Sequence, residues 1–273
     1  MKPNRTSSVV LQNGGTVWLP PNPTYPNSSI PDLSVPDSTQ KYDIGTAFTL
    51  NGKAYYYGYA SGACSGSMLA CKTYKQEVSY QTVGAAADIY ATQLTITVAA
   101  TDGIAADGAL AKDYLKGGTV VVFPAVGGSY YFTRGIVGNT VVASGGGTTV
   151  IDLDAPIPVA VDAAASAEAT ASPWAAFVDS TSAWMTKVGL PTCYSAGSQY
   201  IWLQTWGMAW VSPQSTVGTA GYHDVIARHD GSIDYDNQTV DLNISDQRVG
   251  YSVSYGAGGA QAAPFIFLQI AHP

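Results

Sequence analysis

The sequence predicts a mainly β protein: a β-sandwich or β-barrel body of antiparallel strands, with an extended proline-rich N-terminal arm and little helix. Three observations carry this. Charged residues make up 11% of the 273-residue chain, against roughly 25% in ordinary soluble domains, and glutamate is represented by Glu77 and Glu168 alone. A chain so poor in exposed helix formers suits strands and turns. Runs of β-branched and aromatic residues recur between glycine-rich turns, and an Asn-Gly pair sits between two such runs.

Residues 1–40 stand apart. "VWLPPNPTYPNSSIPDLSVPDSTQ" contains Pro20, Pro21, Pro23, Pro26, Pro31 and Pro36, which block helices and central strands alike. The expectation is an extended arm, either a disordered tail or a segment ordered against a partner. Trp18, Leu19, Tyr25, Ile30, Leu33 and Val35 give it apolar surface to bury, which a solvated linker would not need.

Residues 41–159 are expected to form a β-domain. "AFTLNGKAYYYGYASG" reads as a hairpin around Asn51-Gly52, the pair that best tolerates the positive φ angles of a type I′ turn. Tyr55, Tyr57 and Tyr59 then share one face and Tyr56 takes the other. "QLTITVAA", "GTVVVFPA", "SYYFTRGIVG" and "TTVIDLDA" continue as strands. One short helix is expected at "DGALAKDYLKGG", with Asp107 capping its start and Gly117 its end. Residues 160–185 open with the Ala-rich "AVDAAASAEATASP", which has no apolar stripe to dock a helix and reads as a linker or crossover. Residues 186–273 are expected to form a second β-region packed with the first.

"QYIWLQTWGMAWVSPQ" spaces Trp202, Trp206 and Trp210 four apart, which fits a helix face and a strand face equally. A helix here would have no polar side, would contain Gly207 and would end at Pro213. A strand gives two coherent faces, with Tyr200, Trp202, Gln204, Trp206, Met208 and Trp210 on one of them. Three roles are open to this row: sandwich core, an interface with another chain, or a platform on which sugars stack.

The net charge of −7 and pI near 4.7, with no basic cluster, weigh against nucleic acid as a partner. No apolar run approaches the roughly 20 residues that span a bilayer, so no membrane is expected. The N-terminus lacks the apolar core of a signal peptide, which points to assembly in a cytoplasm. Cys64, Cys71 and Cys193 have no metal-ligand spacing, so no metal and no cofactor are expected. A Cys64–Cys71 disulfide is geometrically possible but disfavoured in a reducing compartment.

Catalytic signatures such as G-x-S-x-G, H-E-x-x-H and a P-loop are missing. His223, Asp224, His229, Asp230, Asp234 and Asp236 form the one dense titratable cluster, which reads as an Asp-Gly hairpin turn with solvated carboxylates. An aspartate pair of a glycoside hydrolase is the catalytic alternative. No enzyme is expected.

The segments "YDIGTAFTLNGKAYYYGYASG", "KGGTVVVFP", "GNTVV", "IDLDAPIP", "QYIWLQTWGMAWVSPQ", "HDVIARHDGS" and "AAPFIFLQIAH" occur in order over residues 42–271. In overall pattern the chain resembles structural proteins of tailed bacteriophages described as capsid decoration, cement or head-associated proteins. The proline-rich arm and "CSGSMLAC" lie outside the resemblance. It implies a non-enzymatic protein on the virion capsid surface, with the major capsid protein as partner, free cysteines and self-association as a homotrimer. On this reading the arm reaches a neighbouring subunit at little ordering entropy, because proline already restricts the free chain. The alternatives are a carbohydrate-binding or host-adhesion protein of a virion and a polysaccharide-degrading enzyme.

Overall fold

The structure is a computed structural model. It describes residues 31–72, 77–124, 131–179, 185–213, 217, 223–236, 247–253 and 265–273, and the backbone of 7–10, 16–19 and 244–246. All regular structure among them is β, and no helix is present.

The chain divides into two compact units, with residues Lys75–Ala175 inserted into a unit made of Met1–Tyr74 and Ala176–Pro273. One boundary, between Ala175 and Ala176, falls within the expected linker at 160–185, and the other, between Tyr74 and Lys75, falls inside the β-domain expected at 41–159. The strands of the first unit are β1 (Ser7–Val10), β2 (Thr16–Leu19), β3 (Ala47–Leu50), β4 (Lys53–Ala60) and β5 (Ala70–Lys72). The inserted unit holds β6 (Val78–Thr82), β7 (Gln93–Val98), β8 (Thr119–Phe123), β9 (Phe132–Asn139), β10 (Gly147–Leu153) and β11 (Ser166–Thr170). The chain then returns to the first unit through β12 (Phe177–Val178), β13 (Thr186–Pro191), β14 (Gln199–Ala209), β15 (Asp224–Arg228), β16 (Ile233–Tyr235), β17 (Ile244–Ser252) and β18 (Ile266–Gln269).

In the first unit β4, β12, β5, β13 and β14 pair in a ring that closes because β14 also pairs with β4, giving a five-stranded barrel. The sheet runs on beyond the ring, through β3, β2 and β1 on one side and through β18, β17, β15 and β16 on the other. The hairpin expected at Asn51-Gly52 is present: Leu50 pairs with Lys53, and both turn residues have positive φ, 52° and 75°. Two strands come from the expected arm, since β2 pairs with β3 and β1 with β2. Apart from Pro3 the arm's prolines lie in residues 20–36, which leaves "SSVV" and "TVWL" with amides that can donate to a ladder. Tyr25 and Ile30 lie outside the described residues, as do the side chains of Trp18 and Leu19.

The inserted unit is a curled antiparallel sheet of order β6-β11-β8-β9-β10-β7. Its outermost strands approach through a bridge between Val83 and Ile96. Leu94, Ile96 and Val98, with Val120 and Val122, alternate between buried positions and more exposed neighbours, the period-two pattern of a one-sided sheet.

Two expectations are corrected here. The Ala-rich stretch taken as a linker contains β11, a strand hydrogen-bonded on both sides by β6 and β8. Ala165, Ala167, Ala169 and Ala171 are all buried; the strand is held by its ladders and by small residues facing inward at period two, a pattern that carries no strong apolar signal. Residues 107–118, expected as a helix, are a series of turns. Gly108 and Asp113 have positive φ, 79° and 59°, and besides three-residue turn bonds within the segment the backbone bonds across to neighbouring chain. The Leu115 amide donates to Asn139 Oδ1 (2.7 Å), the Gly117 amide to the Ile136 carbonyl (2.8 Å), and Leu110 bridges Val142. Asp107 does accept from the Ala109 amide (3.0 Å), capping a turn rather than a helix.

Candidate functional site

The Trp segment is the strand β14, and the expected row is divided along its length. Its first half is core. Tyr200 pairs with Tyr59, Trp202 with Tyr57 and Gln204 with Tyr55, so the tyrosines of β4 and the even residues of β14 stand side by side on one face. Phe48 extends this ladder from β3 by pairing with Tyr55. Trp202 is 2% exposed, with the rings of Tyr57, Tyr42 and Phe48 at 5.1, 5.3 and 5.9 Å.

The cover of this cluster comes from the chain's own arm. Leu33 and Tyr42 pack on it. Asp37 forms a two-way backbone bridge with Tyr200 (2.7 and 2.9 Å), and its Oδ2 accepts from the Tyr57 hydroxyl (2.9 Å). Burial raises the Tyr57 phenol far above its ordinary value, reinforced by the adjacent Asp37 charge, so it stays a donor at any physiological pH. Lys41 closes an ion pair on Asp37. Leu33, expected to meet a partner, thus meets its own body, while Val35 beside it is exposed.

Between the two halves of β14 the pairing with β4 slips one residue at Thr205. Gly207 has φ 92°, and a Cβ there would lie 2.6 Å from the Gly52 carbonyl oxygen, so glycine is required where the bent strand meets the hairpin turn. Gln204 turns back along the strand and donates from Nε2 to the carbonyls of Trp206 (3.1 Å) and Met208 (3.0 Å).

Past the bulge β14 leaves β4 and pairs with β18, and the remaining members of the row open to solvent. Met208 pairs with Phe267, which pairs with Tyr251. The next row along is Trp210, Phe265 and Val253, where the Val253 amide donates to the Phe265 carbonyl (2.8 Å). Trp210 is 37% exposed, Phe265 54% and Val253 48%. The rings support one another: Tyr251 stacks on Phe267 (5.3 Å, 7°), and Trp206 stands edge-on to Phe267 and to His272. The reverse face of these strands, with Ala209, Ile266, Leu268 and Val249, is buried core. At the rim, Arg248 pairs with Asp224 (3.0 Å) and Asp236 (3.6 Å).

Tyr251, Val253, Phe265 and Phe267 were missed in the sequence. Their signal is the alternation in "YSV" and "FIF", but nothing local says that those two segments and the Trp segment are neighbours.

The titratable cluster is a turn. β15 separates His223 and His229, which lie just beyond its two ends. Arg228 holds Asp234 at 3.0 Å. Burial alone would raise the Asp230 carboxyl, but the Ser232 hydroxyl (2.6 Å) and amide (3.0 Å), with His229 and Arg228 nearby, bring it below the ordinary aspartate value. That keeps Asp230 charged, the reverse of what a general acid needs. Among the described residues no group of three or more His, Cys, Asp or Glu is placed to hold a metal ion. None of the three cysteines is in a disulfide; Cys64 and Cys71 are buried and Cys193 is half-buried. Comparison with protein-family models, with curated proteins and with solved structures finds no match for this chain.

Proposed function

We propose that this is a non-enzymatic virion structural protein that binds and stabilises a phage capsid surface as a cement or decoration protein, acting as a homotrimer with the major capsid protein as its partner. The observation that carries the reading is the exposed face of β14, β18 and β17. Trp206, Met208, Trp210, Tyr251, Phe265 and Phe267, with Val253, form one continuous apolar surface over a buried core, rimmed by charge at Arg248 and Asp224. Trp, Tyr, Phe and Met inside a polar rim is the make-up of a surface that another protein covers. The charge-poor, all-β body and the ordered resemblance over residues 42–271 support the same reading.

The test is mass spectrometry of purified particles with heads separated from tails, followed by rebinding of purified protein to undecorated heads. The wild type is expected in the head fraction in fixed ratio to the major capsid protein. The double variant Trp210→Ser, Phe265→Ser is expected to fold and fail to rebind. Absence from heads, or undiminished rebinding by the double variant, overturns the proposal. A carbohydrate-binding role is the second reading, favoured by Tyr251 lying opposite Asp224, which Arg248 joins with Asp236 in a set of hydrogen-bonding groups. It predicts signal on a glycan array that the same double variant loses.

A further inference from the structure

A lysine and a cysteine meet inside the first unit, far along the chain from one another. Lys187 on β13 and Cys71 on β5 are directly opposed across the ladder. Both are 0% exposed. Lys187 Nζ donates to Cys71 Sγ at 2.8 Å and to the His229 carbonyl at 2.9 Å. Gln247 pins the lysine backbone on both sides, accepting from its amide at 2.7 Å and donating to its carbonyl at 2.9 Å. A buried lysine is ordinarily matched with a carboxylate, yet Lys187 forms no ion pair among the described residues. Its nitrogen is instead aimed at a sulfur atom and held there.

We infer that Cys71 and Lys187 are a site of oxidative cross-linking, in which a peroxide converts the thiol–amine contact into a covalent sulfur–nitrogen bond. The chemistry follows the ordinary course of cysteine oxidation. Hydrogen peroxide transfers one oxygen to Cys71 Sγ; the O–O bond breaks, one water leaves, and the sulfur is oxidised by two electrons to the sulfenic acid. The hydroxide displaced from peroxide takes the extra proton of Lys187 Nζ to become that first water, and the Nζ lone pair then attacks the sulfur. The S–N bond forms, the S–O bond breaks, and hydroxide leaves with a proton from Nζ as a second water. The sum is thiol, amine and peroxide giving the cross-link and two waters. The contact favours this outcome over further oxidation, because the amine is already against the sulfur and its attack is intramolecular, whereas further oxidation needs a second peroxide to arrive.

The position gives the bond a structural consequence. Cys71 lies just before the chain leaves for the inserted unit at Lys75, and Lys187 lies just after its return at Ala176. The cross-link would close the loop of 116 residues that contains that whole unit, restricting the unfolded chain as a disulfide does.

The full-length protein is treated with hydrogen peroxide, remaining thiols are alkylated, and the digest is mapped by mass. The expected product is a linked pair of peptides, one with Cys71 and one with Lys187, two hydrogens lighter than their sum, absent after thiol reduction and accompanied by a rise in Tm. The pair should persist in Cys64→Ser and vanish in Cys71→Ser. Cys71 alkylated in full under conditions that oxidise Cys193 would overturn the inference. So would Cys71 recovered as a disulfide with Cys64, or as sulfinic acid beside an unlinked Lys187. Because the decisive reading is made on the wild-type chain, it does not depend on the folding of any Lys187 variant.

Discussion

Replacing Trp202 with alanine tests whether the first half of the Trp strand is core. The side chain is 2% exposed and touches three aromatic rings at centroid distances of 5.1 to 5.9 Å. A buried aromatic removes roughly 150–250 Å² from water, which at about 25 cal/mol per Å² corresponds to roughly 4–6 kcal/mol as an upper bound. Truncations of buried Phe and Trp to alanine cost about 3–5 kcal/mol, so a loss of about 4 kcal/mol is expected. Against a typical total of about 5–15 kcal/mol, that brings the first unit close to unfolding. Urea denaturation followed by far-ultraviolet circular dichroism reads it. With a slope of about 2–3 kcal/mol/M, the midpoint should fall by roughly 1–2 M. Trp202→Phe keeps a ring in the cluster and should lie between. Trp210→Ala, on the same row past the bulge, should cost less because its side chain is already partly in solvent. A loss for Trp202→Ala of under about 1 kcal/mol, the size of an ordinary substitution, or a larger loss for Trp210 than for Trp202, would refute the division of the row.

Three further outcomes follow from single features. Gly52→Ala meets only the cost of a side chain at positive φ, about 1–2 kcal/mol, since its Cβ would have open space; Gly207→Ala adds a backbone clash and should destabilise more, measured by the same urea midpoints. Cys64 is pushed up to about 12 by burial, with the Asp179 charge adding to it, so in the native protein it should resist iodoacetamide at pH 8 while half-buried Cys193 reacts first; mass spectrometry of the time course would show the reverse order if the burial is wrong. Asp179 is raised above 3.8 mainly by burial, partly offset by hydrogen bonds from Ser65 and the charge of Lys187. A carboxyl raised in the fold favours the protonated native state, so its contribution is present below 3.8 and lost as pH rises through the folded value. Asp179→Asn should therefore be at least as stable as wild type at pH 7, with the advantage disappearing in acid; lower stability at pH 7 would show the charge to be needed.

The strands that could be read along the chain are those whose local chemistry is strong. Asn51-Gly52 between alternating tyrosines has almost no competing conformation, and Gly207 with Pro213 ruled out a helix for the Trp segment. The strand β11 was hidden because alanine at alternate positions resembles a linker until the ladders of β6 and β8 are seen on either side of it. The expected helix at 107–118 failed because amides in it are taken by distant parts of the chain, Leu115 by Asn139, 24 residues on, and Gly117 by Ile136. Leu33 carried the right signal, an apolar residue needing cover, but the arm's own body satisfies it.

The candidate site divides along the same line. In an uninterrupted strand Trp202, Trp206, Met208 and Trp210 would share one face by the period of two, and the one-residue slip at Thr205 breaks that period between Trp202 and the other three. Which of them is core and which is surface is decided by neighbours: β4, Tyr42 and Leu33 cover Trp202, whereas beyond the bulge at Thr205 the strand exchanges β4 for β18, whose Phe265 and Phe267 add to the exposed surface. Likewise, the sequence alone supplies the charge-poor composition, the strand periodicity and the turn chemistry, all local properties of a few residues. The insertion of one unit within the other and the meeting of Cys71 with Lys187 were decided only by tertiary structure, because strand pairing links residues by hydrogen-bond register and not by distance along the chain.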